Sequence, residues 1–362
     1  MLLNVIFILL VVIHLFIKMA ANISKNMRAV GLFKYLPISD INSLIDLEVS
    51  VPVPKESEVL IEVKAIAINP IDTKQRAPKP LIEKEPRILG FDGAGIITAV
   101  GEAVKKFKVN DQVFFTADIR RHGTNAQYVA LDEIHVAQKP KNLSFEEAAA
   151  MPLTAVSAYE SLIDRLCITE KDKGKSILII NSGGGVGSVA CQLANLFGLK
   201  VIGTASRPES MKFSKESGAH IVLNHSENLV EQLKKNKLSE VDFILVNYDP
   251  YNYWDTLMML IKPQGKICLI VDSSGLVDLK PLKAKSITLV SEMMYTRIVY
   301  NTEDRYRHTE ILEEVSKMLE NGKLKTTVTK VLAPFNAVNL REAHRLIEEK
   351  KTIGKIVISG FE

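Results

Sequence analysis

The sequence predicts an α/β protein with two domains, a small β-rich domain followed by a doubly wound parallel sheet. Three observations support this prediction. Short strands punctuated by Gly and Pro fill the chain up to about residue 151, strands and helices alternate after it, and a glycine-rich turn lies inside that alternation. A chain of 362 residues has room for two domains, because a domain usually contains about 100–200 residues.

The charge and the cysteine content exclude several classes of protein. Lys and Arg number 46 against 42 Asp and Glu, and they are scattered, so no nucleic-acid-binding surface is predicted. Cys167, Cys191 and Cys268 are far apart and form no C-x-x-C pair, which excludes a zinc ribbon and a disulfide framework. This cysteine usage fits a reducing compartment, with Cys191 and Cys268 as buried small apolar residues.

Residues 1–26 precede the first recognisable strand, and two interpretations of them stay open. Residues 2–17 form an almost unbroken apolar run, which is shorter than the roughly 20 residues of a spanning helix. A lysine follows the run instead of preceding it, unlike the arrangement in a secretory signal. Either the true start of the protein is Met27, which we favour, or residues 2–17 tether a cytoplasmic enzyme to a membrane. In both cases the enzyme is expected on the cytoplasmic side.

The first domain, residues 27–151, is predicted from its short strands. Alternating or apolar segments occur at 59–65, 96–100 and 112–115, and Gly and Pro separate them. Regularly spaced short strands with such turns are typical of a small β-rich domain, such as a distorted barrel.

The second domain, residues 152–294, follows a helical segment at 145–162. Its predicted strands are apolar and its predicted helices are amphipathic, which is the pattern that a sheet covered on both faces requires. The strands are expected at 176–180, 200–204, 220–223, 242–246 and 266–271, and the helices at 186–197, 209–217, 226–235 and 253–261. The tail, residues 295–362, adds helices at 309–320 and 340–350 and strands at 327–331 and 355–359.

The strongest local signal is the segment 182–187, which follows the strand at 176–180 and precedes a helix. Glycines in this position let the backbone approach a pyrophosphate, whose charge is stabilised at the helix N-terminus. Ser182 replaces the first glycine of the G-x-G-x-x-G pattern. The predicted nucleotide cradle consists of Ser182, Gly184, Gly185, Val186 and Gly187.

The end of the next strand predicts the choice of cofactor. An NAD site would have Asp or Glu there for the ribose hydroxyl, whereas this chain has Ser206 and Arg207. A serine hydroxyl and a guanidinium can both bind a 2′-phosphate, so NADPH is the expected cofactor. The alternative is that Arg207 only caps a loop.

Seven segments spread over the chain, in order, resemble one enzyme family. They are 69–74, 89–95, 123–128, 148–154, 204–208, 291–297 and 354–357. From Met27 onwards the chain resembles the medium-chain dehydrogenase/reductases, most of all their zinc-less quinone oxidoreductases and the bacterial zinc-type alcohol dehydrogenase-like proteins. The resemblance implies a GroES-like catalytic domain built from both chain ends, a Rossmann domain between them and an active site in the cleft. A homodimer is a family expectation.

The resemblance also bears on catalytic zinc. In zinc alcohol dehydrogenases a Cys stands where this chain has Asn69, and a His and a Glu stand where it has Phe91 and Asp92. Phe91 cannot bind a metal and Asn69 offers no thiolate, so no metal site is predicted.

The activity implied by the resemblance is transfer of a hydride from NADPH to a quinone or an α,β-unsaturated carbonyl. Asn69 is the first candidate for a hydrogen-bond donor to the developing oxyanion, although it is equally interpreted as a turn residue before Pro70. Asp72 is expected to orient Asn69 or Lys74, or only to form a turn. In the enoyl-thioester reductases of this superfamily a catalytic Tyr follows the Asn-Pro motif by a few residues. No Tyr occurs here between Asp72 and Arg87, so the resemblance argues against an acyl-thioester substrate.

The resemblance suggests five further site residues, each with a simpler structural alternative. Ser157 aligns with a residue beside the nicotinamide, and His225 stands where many relatives place a Tyr near the 2′-phosphate. Phe91, Tyr295 and Arg297 are candidates for the substrate pocket, although each could equally serve packing.

Two rival functions remain at this stage. A non-catalytic NADPH-binding protein would keep the cradle and Arg207 but need no acceptor pocket, and a zinc alcohol dehydrogenase would need a metal. The sequence predicts no nucleic-acid partner, and membrane contact only if residues 1–26 are an anchor.

Overall fold

The computed structural model describes residues 25–361, so the hypotheses about residues 2–17 lie outside the described residues. Within residues 25–361, no helix is long and apolar enough to cross a membrane. Two large sheets lie on either side of one continuous hydrophobic core, which includes Ile61 of one sheet, Ile177 of the other, and Val156 on the helix between them.

The catalytic-domain sheet has seven strands drawn from both ends of the chain. The strand Glu58–Ile68 is its centre, and all but two of its eleven residues are buried. The order across the sheet is Val328–Leu332, Lys355–Ser359, Glu58–Ile68, Asp92–Val100, Gln112–Thr116 and Val136–Gln138, and Tyr128–Asp132 also pairs with Glu58–Ile68. The C-terminal strands therefore complete the first domain, as the expected GroES-like fold requires.

A separate three-stranded antiparallel sheet was not predicted. It consists of Ile45–Ser50, Asn26–Tyr35 and Lys79–Ile88 in that order. The strand Lys79–Ile88 contains Pro80 and Pro86, which are among the prolines expected to lie between strands. Proline is tolerated there because this strand lies at the edge of its sheet.

The second domain is a six-stranded parallel sheet, which confirms the predicted doubly wound fold. Its order is Ile221–Leu223, Lys200–Thr204, Ser176–Ile180, Val241–Val246, Ile261–Leu269 and Thr288–Ser291. The strand order reverses between Ser176–Ile180 and Val241–Val246. In such sheets the ligand binds where the carboxyl ends of these two strands meet.

Eleven α-helices lie within the described residues. They are Pro70–Arg76, Phe145–Ala149, Pro152–Tyr159, Gly185–Leu196, Pro208–Glu216, Leu229–Lys235, Trp254–Leu260, Lys280–Lys285, Thr296–Val299, Arg307–Glu320 and Ala337–Glu348. The helix predicted at 145–162 is in fact two helices followed by the π-helical segment Glu160–Arg165. Pro152 begins the second of these helices, since proline fits the first turn of a helix but not its interior.

Candidate active site

A cavity of about 870 Å³ lies between the two domains. One side consists of the glycine-rich turn and the carboxyl ends of the parallel strands. The other side consists of residues from the helix Pro70–Arg76 and the strand Lys355–Ser359. The cavity is thus placed at the reversal of strand order, where the fold predicts a ligand.

The glycine-rich turn has the backbone geometry of a phosphate cradle. Asn181 follows the strand Ser176–Ile180 with a φ of 57°, and Gly184 precedes the first turn of the helix Gly185–Leu196. A Cβ on Gly187 would lie 2.3 Å from the Asn181 carbonyl oxygen, so only glycine fits this approach of helix to strand. Gly184, Gly185, Val186 and Gly187 all line the cavity. The first amides of a helix lack partners within it and can bind an anion.

Ser182 differs from the rest of the predicted cradle. It is fully buried, its Oγ donates to the Thr204 carbonyl at 3.1 Å, and it lies 2.5 Å from Ser214 Oγ. Its hydroxyl therefore joins the strand to the neighbouring helix Pro208–Glu216. The assignment of Ser182 to the cradle, at the position of its first glycine, stays a prediction.

The residues predicted to bind a 2′-phosphate lie beyond the adjacent strand Lys200–Thr204. The Arg207 guanidinium is partly exposed and donates to the carbonyls of Lys351 and Thr352, both at 3.2 Å. The pKa of His225 is lowered by burial and by the nearby charge of Arg207. His225 lines a separate groove of about 460 Å³. No contact in the structure tests the roles of Ser206, Arg207 and His225, which stay predictions.

Two predicted residues line the middle of the cavity. Ser157 does so from the helix Pro152–Tyr159, and Tyr295 does so from the segment before the helix Thr296–Val299. The Tyr295 hydroxyl is buried and has no hydrogen-bond partner within residues 25–361. Burial, followed by the carboxyls of Asp72, Asp92 and Asp118, raises the pKa of Tyr295 well above its ordinary value.

The polar wall of the cavity is a hydrogen-bonded network of Asn69 and Lys355, which line the cavity, and Asp92, which does not; they are 1%, 3% and 0% exposed. The Lys355 ammonium donates to Asn69 Oδ1, to Asp92 Oδ2 at 2.9 Å and to the Ile68 carbonyl at 3.2 Å. Asn69 Nδ2 in turn donates to Asp92 Oδ2 at 2.8 Å and to the Ala67 carbonyl at 3.3 Å. The other Asp92 oxygen accepts from the Leu153 amide at 2.7 Å. These bonds fix three side chains from three distant segments.

Asp72 lies behind this wall and orients Asn69 through the backbone. Its Oδ2 accepts from the Asn69 amide at 2.8 Å, which caps the helix Pro70–Arg76. Burial raises the pKa of Asp72 to about 7. Lys74, the other predicted partner of Asp72, instead forms an ion pair with Asp272 at the cavity mouth.

Phe91 and Arg297, which were expected either to face the pocket or to serve packing, do not line the cavity. Phe91 is fully buried and packs edge-on against Tyr295, with ring centroids 6.0 Å apart. Arg297 is buried among carboxylates and pairs with Glu160, with Asp164 at 3.0 Å and with Asp304 at 2.8 Å. Phe91 therefore supports the Tyr295 ring, and Arg297 stabilises the fold.

Sequence reasoning missed three residues of the site. Lys355 and Asp92 belong to segments used for the resemblance, but nothing local indicates that a lysine at the start of an apolar strand is buried. Glu292 also lines the cavity and pairs with Arg165 at 2.9 Å. Burial and the neighbouring Glu160 carboxyl raise the pKa of Glu292 to about 9.

Sequence comparisons assign these features to a family. Residues 55–141 match the alcohol dehydrogenase GroES-like domain, and residues 217–358 match a family described as zinc-binding dehydrogenase. A zinc-type alcohol dehydrogenase-like protein of Staphylococcus epidermidis is 40% identical over 336 residues, covering 92% of this chain and 99% of the relative. The chain belongs to the medium-chain dehydrogenase/reductase superfamily.

Other similar proteins are named quinone oxidoreductases. Human quinone oxidoreductase is 30% identical over 343 residues, covering 92% of this chain and 98% of the relative. The structure of Escherichia coli quinone oxidoreductase complexed with NADPH has a TM-score of 0.75 at 26% identity, covering 92% of this chain and 99% of that one. A Rhizobium etli protein described as a candidate zinc-dependent alcohol dehydrogenase has a TM-score of 0.89 at 39% identity, covering 94% of this chain and all of that one. The predicted superfamily and fold are confirmed, and the protein is an oxidoreductase.

Several relatives of this dehydrogenase/reductase carry zinc in their names, but its own donor atoms do not fit that ion. Asn69 and Asp92 are occupied by an ammonium, and Phe91 has no atom that binds a metal. Across residues 25–361, no group of three or more His, Cys, Asp or Glu side chains is arranged to hold a metal ion.

Proposed function

We propose that this enzyme uses NADPH to reduce a quinone or an α,β-unsaturated carbonyl without a catalytic metal. The observation that supports this most is the cavity itself, which joins a backbone phosphate cradle to a wall of Asn69 and Lys355 where a zinc enzyme would have its ligands. The balanced reaction consumes one NADPH, one solvent proton and the acceptor, and yields NADP⁺ and a hydroquinone or a saturated carbonyl.

The choice of NADPH rests on the end of the strand Lys200–Thr204. No acid is present there to bind a ribose 2′-hydroxyl, and Ser206 and Arg207 follow instead. Arg207 donates to two neutral carbonyls at 3.2 Å. A 2′-phosphate would replace these bonds with stronger charge-assisted hydrogen bonds. His225 lies near enough to Arg207 for the guanidinium charge to lower its pKa. It would add a contact to the adenosine or its phosphate.

The remaining residues would orient the reactants. When bound, the dihydronicotinamide supplies a hydride to an electron-poor acceptor. Ser157 lines the cavity beside the expected nicotinamide site, and Tyr295 offers an unpartnered hydroxyl to the acceptor. Asn69 and Lys355 provide a polar surface with a positive charge for the oxygen on which negative charge develops.

The absence of a metal requirement is supported by the donor set and by the proposed substrates. A conjugated acceptor spreads the charge that arrives with the hydride, so it needs less Lewis-acid activation than an isolated carbonyl. Phe91 and the Lys355–Asp92 pair leave a zinc ion neither enough ligands nor a favourable charge. We also expect a cytoplasmic enzyme with a small-molecule partner.

The test is NADPH oxidation by the full-length chain, compared with NADH, using an ortho-quinone and a short enone as acceptors. We expect NADPH-selective turnover that survives a chelator and is not increased by zinc. Turnover of simple alcohols that needs zinc would overturn the proposal in favour of an alcohol dehydrogenase. Tight NADPH binding with no turnover of either acceptor would also overturn it and favour a non-catalytic binding protein.

A further inference from the structure

We propose that the buried ammonium of Lys355 is the fixed positive charge that stabilises the oxyanion of the reduced acceptor, in the place where other enzymes of this fold use a metal. Lys355 acts in this role through its charge and not through a direct hydrogen bond, because its own N–H groups are bound within the wall. This inference rests on the proposed function and specifies how the site works without zinc.

The contacts of Lys355 are those of a built site. A lysine side chain that is 3% exposed is rare, because burial of an unpaired ammonium is costly. Three oxygens converge on it, from Asn69, Asp92 and Ile68, which matches the three donors of an ammonium group. The lysine is therefore charged, fully hydrogen-bonded and fixed in position.

The orientation of the ion pair gives the wall a polarity. Lys355 and Asn69 line the cavity, whereas Asp92 and Asp72 do not and are fully buried. Of the ion pair, Lys355 is therefore the partner that borders the cavity, and its carboxylate partner Asp92 does not. An anion formed in the cavity would therefore be next to Lys355 and not next to the carboxylates. The attraction between the anion and the lysine charge is stronger in a water-poor cleft than in solvent.

Lys355 also connects the wall to the cofactor cradle. A Cβ on Gly185 would lie 3.0 Å from Lys355 Cδ, so the lysine stem packs against the first turn of the cradle helix. The preceding residue, Gly354, donates its amide to the Gly183 carbonyl at 2.9 Å. The ammonium is thus held at a set distance from the residues that would bind the cofactor.

The step it assists is balanced as follows. The hydride keeps its electron pair as the new bond to the acceptor, a π-electron pair of the acceptor shifts through the conjugated system to the acceptor oxygen, and that oxygen becomes an anion. The oxyanion then takes a proton from solvent. Lys355 keeps all its protons throughout and lowers the energy of the anionic stage.

Three variants separate charge from packing. Lys355→Met keeps the length of the side chain but leaves Asp92 as an unpaired buried carboxylate, which is strongly destabilising. Lys355→Met combined with Asp92→Asn removes both charges and keeps the volumes. Lys355→Arg keeps the charge but alters the shape of the group.

We expect the double variant to fold and to bind NADPH like the wild type, while its kcat with an ortho-quinone falls about 10- to 100-fold. The KM for NADPH should change little. Lys355→Arg should retain more turnover than Lys355→Met. Wild-type kcat in the double variant, or better turnover with Met than with Arg, contradicts the role of Lys355 while the proposed function stands.

A second readout does not depend on turnover. 4-Nitrophenol bound to the NADP⁺ complex reports by its absorbance whether it is held as phenolate. We expect the wild type and Lys355→Arg to bind the phenolate, and the double variant to shift the bound probe towards neutral phenol. Equal ionisation in all three, or no phenolate bound to the wild type, would refute the inference. Phenolate binding that depends on Lys355, in an enzyme that reduces no quinone or enone, would refute the proposed function alone.

Discussion

The cofactor cradle and the polar wall face each other across one cavity, yet the chain builds them in opposite ways. The cradle is the continuous segment 181–187. It offers backbone amides to a ligand, and its glycines have no side chain that would block the approach. The wall joins Asn69, Asp92 and Lys355, and 286 residues separate the first from the last. A local signal therefore predicts the cradle, whereas the wall exists only when distant segments meet.

The difference also concerns how each region tolerates change. Where backbone atoms of the cradle approach each other closely, they cannot move apart around an added atom. A single methyl group at such a position is therefore expected to weaken cofactor binding severely. The wall is a hydrogen-bonded network, in which loss of one partner leaves another buried group unsatisfied. We expect cradle variants to alter cofactor affinity and wall variants to alter turnover.

The largest expected effect is on the cradle. In Gly187→Ala the new methyl would lie 2.3 Å from the Asn181 carbonyl oxygen, so the helix must move away from the strand. We expect the Kd for NADPH to rise more than about 100-fold, measured by NADPH fluorescence. Gly183→Ala, whose methyl meets Ser210 only at 3.1 Å, is the matched control and should bind much better. Equal losses in the two variants would show that the close approach is not what matters.

A smaller effect is expected where the cradle meets the 2′-phosphate. Arg207→Gln removes a guanidinium whose present partners are neutral carbonyls at 3.2 Å. The Kd for NADPH should rise about 10- to 100-fold, since hydrogen bonds to charged groups contribute about 1.5–3 kcal/mol. The Kd for NADH should not change, and Arg345→Gln on the surface serves as the control. A parallel loss of NADH affinity would mean that Arg207 supports the loop and not the phosphate.

Asn69→Ala addresses the wall. It removes an acceptor of the Lys355 ammonium and a donor to Asp92, while the cradle stays intact. We expect kcat to fall about 10-fold with an unchanged Kd for NADPH, because two bonds of the network are lost beside the reacting oxygen. Gln75→Ala, which alters another cavity-lining residue of the same helix, should leave kcat nearly unchanged. If both variants lose kcat alike, the network has no special part in turnover.

The smallest effect is a pH dependence of stability that arises from Glu292, a cavity-lining residue outside the polar wall. Burial raises the pKa of Glu292 from 4.5 to about 9, so the folded protein holds this proton more tightly than the unfolded chain. That contribution is complete at acid pH and is lost as the pH rises towards 9, by at most about 1.4 kcal/mol per pH unit.

Glu292→Gln removes this titration. The melting temperature of the variant relative to the wild type should therefore increase between about pH 5 and pH 9, by a few degrees. Glu102→Gln, at an exposed carboxylate, should show no such trend. A constant difference across this range would indicate that Glu292 is not protonated in the folded enzyme.

Most of the fold could be predicted from the sequence because its signals are local. Three strands were predicted with their observed bounds, namely Ser176–Ile180, Lys200–Thr204 and Lys355–Ser359. Each is an apolar run between turns, and such a run marks where the strand begins and ends. The three-stranded sheet was missed because Pro80 and Pro86 indicate turns unless the strand is known to lie at an edge.

The site was predicted less completely, and for a related reason. Phe91 and Arg297 were expected either in the pocket or in packing, and the structure shows Phe91 packed against Tyr295 and Arg297 in an ion-pair cluster. Ser182 was assigned to the cradle as the replacement of its first glycine, and the structure shows that its hydroxyl bonds the neighbouring strand. Sequence position gives the element on which a residue lies, whereas the direction of its side chain depends on what packs around that element.

The sequence by itself determined the doubly wound sheet and the glycine cradle, because strand periodicity and the steric freedom of glycine are properties of short segments. The superfamily followed from the resemblance of seven short segments to known enzymes. Only the tertiary structure decided that Lys355 is buried and that it meets Asn69 and Asp92. A lysine becomes a buried charge only where acceptors from other parts of the chain converge to replace its water. That convergence follows from how the C-terminal strand returns to the first domain, and no local pattern encodes it.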